Sequence, residues 1–181
     1  DVYKRQILMR MFYPDRREKS AYTIDYADLY RKGYRGVIFD IDNTLVPHGA
    51  PATKEAAAFF ASLRETGFST CLLSNNQKPR VAPFADAVGS IYIENAHKPS
   101  VKNYQEACRR MGIKEEQAVF VGDQLFTDVY GAKRTGLYNI LTEPINPKEE
   151  IQIVLKRYLE HIVLFFYERD LARGRITKKN S

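Results

Sequence analysis

The stretch Gly36–Gly49, "GVIFDIDNTLVPHG", reads as a buried strand that ends in two acids, Asp40 and Asp42, one residue apart. Carboxylates that close raise each other's pKa and cost free energy unless a proton or a cation sits with them. One reading is a strand end with two solvated acids. The sharper one is a metal-assisted phosphoryl-transfer site, and the rest of the chain has to decide between them.

Working outward, short apolar runs alternate with longer helical patterns. "GVIFDI" (36–41), "STCLLS" (69–74), "SIYIE" (90–94), "AVFVG" (118–122) and "LYNIL" (137–141) predict buried strands. Residues 53–66, 78–88, 100–111 and 127–135 predict helices, with Thr53 and Ser100 as N-caps and Gly67 and Gly112 as C-terminal stops. Strand–helix alternation implies parallel strands joined by right-handed crossovers, an α/β three-layer domain. The connections after residues 41 and 74 are short, so no cap domain is expected.

The chain has 181 residues, 44% apolar and 28% charged, an ordinary globular composition with a net charge of +6. Residues 1–6, "DVYKRQ", are read as translated adapter and not as protein. The codons GAT GTG TAT AAG AGA CAG encode them, the end sequence of a transposon used to prepare sequencing libraries. The remaining residues 7–181 are expected to form one domain, with a core at about 33–145 and a helical extension at about 147–172. In that extension Ile151, Val154, Leu155, Tyr158, Ile162 and Phe165 follow helical spacing, which suits a helix docked on the sheet or an amphipathic surface touching a membrane. Basic clusters near both ends can meet phosphates or lipid headgroups. Cys71 and Cys108 stand far apart and read as buried thiols in a reducing compartment. No RNA-binding aromatic motif appears, so nucleic acid is not an expected partner. His48, His97 and His161 lack metal-ligand spacing.

In an open parallel sheet, ligands bind beyond the carboxyl ends of the strands. There the sequence places Asp40 and Asp42, then Ser74-Asn75-Asn76, then His97-Lys98, then Gly122-Asp123 with Asp128 five residues on. Together these are what phosphomonoester hydrolysis needs. Asp40 serves as nucleophile and Asp42 as general acid and base. Ser74, Asn75 and Lys98 hold the phosphoryl oxygens, Lys98 also neutralising charge on the transferring group. Asp40, Asp42 (through a nearby carbonyl), Asp123 and Asp128 are the candidate Mg²⁺ ligands, since Mg²⁺ is a hard cation that prefers oxygen. Asn43 and Thr44 are expected to shape the turn after Asp42.

"FDIDNTLV", "LLSNN", "HKPS" and "VGDQLFTD" resemble the four ordered motifs of the haloacid dehalogenase superfamily of phosphohydrolases, over roughly Gly36 to Asp128. The resemblance implies a Rossmann-like fold, an aspartyl-phosphate on Asp40, the same roles for Asp42, Ser74, Lys98 and Asp123, and for Asp128 a metal contact made from behind the direct ligands or through water. The flanks "YADLYRKGYRG" and "DVYGAKRTGLYNILTEPI" are similar to the capless class III branch typified by the YqeG family, itself similar to mitochondrial phosphatidylglycerophosphate phosphatases. That branch implies phosphatidylglycerophosphate as substrate, dephosphorylated to phosphatidylglycerol, and a cytoplasmic protein, monomer or small homo-oligomer, peripheral to the inner face of the membrane. A phosphatase of soluble esters and a non-catalytic membrane- or RNA-surface adaptor on the same fold are the alternatives.

Overall fold

The computed structural model describes residues 10–147 together with Arg169 and Arg173. Contacts divide the chain into a unit ending at Ile145 and a second beginning at Asn146. The sequence reading of one domain spans that division. The expected adapter and the helical extension fall outside the described residues, apart from Pro147, Arg169 and Arg173.

The first unit is built on six parallel strands: β1 (Arg16–Glu18), β2 (Gly36–Phe39), β3 (Ser69–Leu73), β4 (Ile91–Ile93), β5 (Ala118–Gly122) and β6 (Tyr138–Thr142). Their order across the sheet is β1-β6-β5-β2-β3-β4. All four residues of β2 and all five of β5 are buried, the mark of central parallel strands covered on both faces. Side chains along a strand alternate between faces. Val37, Phe39, Leu72, Val119 and Val121 therefore share one core with Phe60 and Leu63 of α2 (Lys54–Thr66) and with Val81 and Phe84 of α3 (Lys78–Val88). Ile38, Cys71, Leu73 and Phe120 face the other core, closed by Tyr104, Ala107 and Cys108 of α4 (Val101–Met111) and Ala132 of α5 (Tyr130–Thr135). Three layers follow, as expected.

The helix boundaries have local causes. Thr53 caps α2 by accepting a hydrogen bond from the Ala56 amide at 3.0 Å. Gly67 ends that helix at φ 105°, a conformation that favours glycine, and the Tyr30 ring lies where a side chain would go. Ser100 does occupy the N-cap of α4, but its side chain makes no capping bond.

Two elements escaped the sequence reading. Strand β1 is the charged tripeptide Arg16–Glu18, and charge is what an exposed sheet edge carries. It is tied to β6 by side chains: Asn139 Nδ2 donates to Asp15 Oδ2 at 2.6 Å, and the Asp15 amide donates to Asn139 Oδ1 at 3.1 Å. The short helix α1 (Tyr26–Arg31) precedes β2 and buries Tyr26 and Leu29. Of the predicted helix 127–135, only Tyr130–Thr135 is α-helical; Leu125–Val129 form a π-helical turn.

One consequence of the strand order positions the site. From β2 the chain runs outward to β3 and β4, then returns to β5 on the other side of β2 and continues to β6. The reversal leaves a crevice at the carboxyl ends of β2 and β5, where such sheets bind ligands. No cap domain stands in the β2–α2 connection (residues 40–53) or the β3–α3 connection (residues 74–77).

Candidate active site

Asp40 follows β2 directly, and its amide donates to the Val121 carbonyl at 3.0 Å, which extends the pairing of β2 with β5 by one bond. Asp123 follows β5 in the same way. Asp128 arrives on the π-helical turn, where its Oδ2 accepts the Gln124 amide at 3.1 Å. Gly122 makes room for it: a Cβ there would run into the Asp128 carboxylate. One oxygen from each of Asp40, Asp123 and Asp128 lies within 4.8 Å of the others, and all three residues are buried. Three convergent carboxylate oxygens in a crevice are the donor set a hard divalent cation takes, so the residues present fit Mg²⁺.

Lys98 is the cation among these acids. Its Nζ donates to Asp40 Oδ1 at 2.6 Å and to Asp128 Oδ1 at 2.7 Å, with 4% of its side chain exposed. Bonds this short are charge-assisted. Burial pulls the ammonium pKa down, but Asp128 and Asp40 outweigh it and the net shift is upward. A single lysine cannot neutralise both acids, however. Burial pushes the Asp40 carboxyl up to about 7, with Asp128 and Asp42 adding to the rise and Lys98 opposing it. Carboxylates gathered this closely raise one another's pKa, and a cation between them relieves that repulsion.

Several residues act by holding others. The Lys98 amide donates to Asn75 Oδ1 at 2.7 Å, so Asn75, expected on phosphate, also fixes the lysine backbone. Ser74 is buried, with its Oγ accepting the Asn76 amide at 3.1 Å. The Thr44 hydroxyl donates to Asp123 Oδ1 at 3.1 Å, which makes it a positioning residue for the acidic cluster as well as part of a turn. Beneath the π-helical turn, the buried Tyr104 hydroxyl donates to the Thr127 carbonyl at 2.8 Å. Tyr104 fits there because Gly131 has no Cβ to meet its ring.

The Asp42 carboxylate is engaged elsewhere, which leaves only a carbonyl near it for the metal role expected from the sequence. Its Oδ1 accepts the Gly49 amide at 2.7 Å and Arg80 Nη2 at 2.9 Å, and its Oδ2 accepts Asn76 Nδ2 at 2.6 Å. That side chain is turned to the mouth of the site and does not join the three-acid cluster. The flap from Ile41 to Val46 causes this. Three amides, those of Thr44, Leu45 and Val46, converge on the Ile41 carbonyl, and Asn43 takes a left-handed φ of 62°. Sequence reasoning missed Arg80, which sits inside a helix with no local motif to flag it. His48 and His97 are exposed at the rim and bind none of these groups.

Residues 49–136 match the haloacid dehalogenase-like hydrolase family. A Bacillus subtilis protein described as a probable phosphatase, YqeG, is 34% identical over 164 residues, which cover 90% of this chain and 95% of that one. The chain belongs to the YqeG family of haloacid dehalogenase-like phosphatases. Phosphatidylglycerophosphate phosphatase 1 of Arabidopsis thaliana, a chloroplast and mitochondrial protein, is 29% identical over 86% of this chain, which spans 47% of that protein's length. Among solved structures, an uncharacterized protein from Corynebacterium glutamicum superposes with a TM-score of 0.51 at 21% identity, covering 67% of this chain and 93% of its own. That likeness is one of fold. The enzyme class thus agrees with the chemistry of the crevice.

Proposed function

We propose that this YqeG-family protein hydrolyses phosphomonoesters through an aspartyl-phosphate on Asp40, and that its substrate is phosphatidylglycerophosphate at a membrane surface. The observation that carries the reading is Lys98 bridging Asp40 and Asp128 at 2.6 and 2.7 Å within a buried triad of acids. Mg²⁺ held by Asp40, Asp123 and Asp128 would supply charge neutralisation and orientation of the phosphate. Asp40 then attacks phosphorus with its carboxylate, forming an acyl phosphate. Lys98 and the backbone around Ser74 hold the phosphoryl oxygens as their charge develops. Asp42, at the mouth, gives its proton to the departing ester oxygen and later takes one from the water that hydrolyses the acyl phosphate.

Three observations support a lipid substrate. The Arabidopsis relative carries the name of that activity. The site has no cap among the described residues, so a large substrate can stay partly outside it. Leu125 and Phe126, on the same turn as Asp128, are exposed, Phe126 by 70%, which puts an apolar pair beside the acidic cluster. No described helix is long and apolar enough to cross a membrane; the contact proposed here is peripheral, on the cytoplasmic side of the inner face.

The test is phosphate release in Mg²⁺ from phosphatidylglycerophosphate in vesicles, nucleotides, sugar phosphates and a phosphopeptide, with wild type beside Asp40→Asn. The expected result is preference for the vesicle lipid and no turnover by the variant. Preference for a soluble ester would overturn the lipid assignment, and turnover by Asp40→Asn would overturn the covalent mechanism.

A further inference from the structure

Asp42 is held in a way that conflicts with its proposed work. Donors face both of its oxygens: Gly49 and Arg80 on Oδ1, Asn76 on Oδ2. A carboxyl that is to donate a proton needs an acceptor in line with its O–H, and three N–H donors offer none. To protonate a leaving group, Asp42 has to exchange one donor for the ester oxygen. The Gly49 amide is part of the backbone. Of the two side-chain donors, Asn76 and Arg80, Arg80 is the one that carries a charge a second anion can draw away, and its side chain is 22% exposed on the first turn of α3.

Arg80 also has capacity to spare. Its Nε is buried and has no hydrogen-bond partner among the described residues, although a guanidinium carries five N–H donors in a planar fork suited to phosphate. Its planar group lies 5.5 Å from the Phe84 ring centroid, which steadies one face. Beside it opens a cleft of about 490 Å³ lined by Asn75, Asn76, Gln77, Pro79, Arg80 and Asn95. No acidic residue lines it. Asp40 and Asp42 are two residues apart, so their Cα atoms are separated by at most about 7 Å. That is the span of a three-carbon linker between two phosphates.

We propose that this cleft is the leaving-group subsite and that Arg80 binds a second anion carried by the alcohol that leaves, a phosphodiester on a glycerol-sized linker. The proposal rests on the phosphomonoesterase reading above. Binding of the diester draws the guanidinium from Asp42, and Asp42 turns to the bridging ester oxygen. As Asp40 forms its bond to phosphorus, the electron pair of the breaking P–O bond passes to that oxygen. The oxygen takes the Asp42 proton and leaves as the alcohol. In the second half, water gives a proton back to Asp42 and its oxygen to phosphorus, which releases inorganic phosphate and restores both acids. A substrate without the second anion leaves Arg80 on Asp42 and reacts slowly.

Two measurements test this without vesicles. The first compares kcat and KM for glycerol 3-phosphate and for a glycerol bearing the same monoester at one end and a methyl phosphodiester at the other. Wild type should favour the diester-bearing ester by about tenfold to a hundredfold in kcat/KM, the range of one charge-assisted hydrogen bond. Part of that gain should appear in kcat, because Asp42 is released. Arg80→Gln should erase the preference and Arg80→Lys recover some of it. A preference that survives in Arg80→Gln would overturn the proposal. The second uses the Asp40→Asn protein and calorimetric binding of glycerophosphoglycerol, which has no scissile phosphate. Adding Arg80→Gln should weaken binding by about tenfold or more, and equal affinity would overturn the subsite. If neither ester turns over, the phosphatase reading fails while the binding comparison still decides the subsite.

Discussion

Replacing Lys98 by Met removes the cation that bridges the buried Asp40 and Asp128 and should destabilise the metal-free protein strongly. Lys98 makes two short bonds, to Asp40 and Asp128, with almost none of its side chain in water. Methionine fills similar volume, so lost packing is a minor part of the effect. What remains is Asp40 and Asp128 without the ammonium they share, and breaking a buried pair in this way costs about 3–5 kcal/mol. The cost should depend on pH, and its sign follows from Asp40. Burial, with Asp128 and Asp42, already raises that carboxyl from 3.8 to about 7 in the presence of Lys98. A folded pKa above the unfolded one means the folded protein holds more protons, so stability falls as pH rises from about 4 through 7. Without Lys98 the lowering influence is lost, and the fall continues to higher pH. Thermal melts in chelator should therefore show a large deficit for Lys98→Met at pH 8 and a clearly smaller one at pH 5.5. Mg²⁺ at about a hundred times its dissociation constant should restore about 2.7 kcal/mol to any variant that still binds it. Equal deficits at the two pH values, or a variant as stable as wild type at pH 8, would refute the electrostatic reasoning.

Other residues carry separate expectations. Asp42→Asn should slow hydrolysis of alkyl phosphates far more than of p-nitrophenyl phosphate, whose leaving group needs no proton; equal losses in kcat on the two esters would remove the acid role. Gly122→Ala pushes a methyl group against the Asp128 carboxylate. It should cost about 1–3 kcal/mol in denaturant unfolding and raise the Mg²⁺ concentration needed for half-maximal activity, whereas an unchanged Mg²⁺ dependence would show the carboxylate can move freely. Thr53→Ala deletes the cap on α2 and should lower stability by about 1 kcal/mol with kcat/KM unaffected. A loss of activity in that variant would mean α2 influences the site more directly than its position suggests.

Much of this molecule is legible in one dimension because its central strands are simple. Val37–Phe39 and Ala118–Val121 are apolar on every residue, and only a strand covered on both faces has use for that. The acids at their ends are conspicuous for the same reason: Asp40 and Asp123 interrupt runs that would otherwise continue. The sequence thus determined the layered α/β class, the helix stops at Gly67 and Gly112, and the placing of Asp40 and Asp123 at the ends of their strands. Edge strand β1 was hidden because its ladder is made by backbone and by the distant Asp15–Asn139 pair, 124 residues apart, while its own side chains are those of a surface. Hydropathy reports burial, and an edge strand has little of it.

The tertiary structure alone decided how the polar groups pair. Asp40 and Asp42 have the same chemistry and stand two residues apart. Yet one meets Lys98 in the buried cluster, and the other meets Asn76 and Arg80 at the mouth. Thr44 was legible as a turn residue but not as the donor to Asp123, 79 positions away. Periodicity records which face a residue takes, because burial is a property of the position. A hydrogen bond depends on direction and on a partner brought from elsewhere in the chain, and only the folded sheet order sets both.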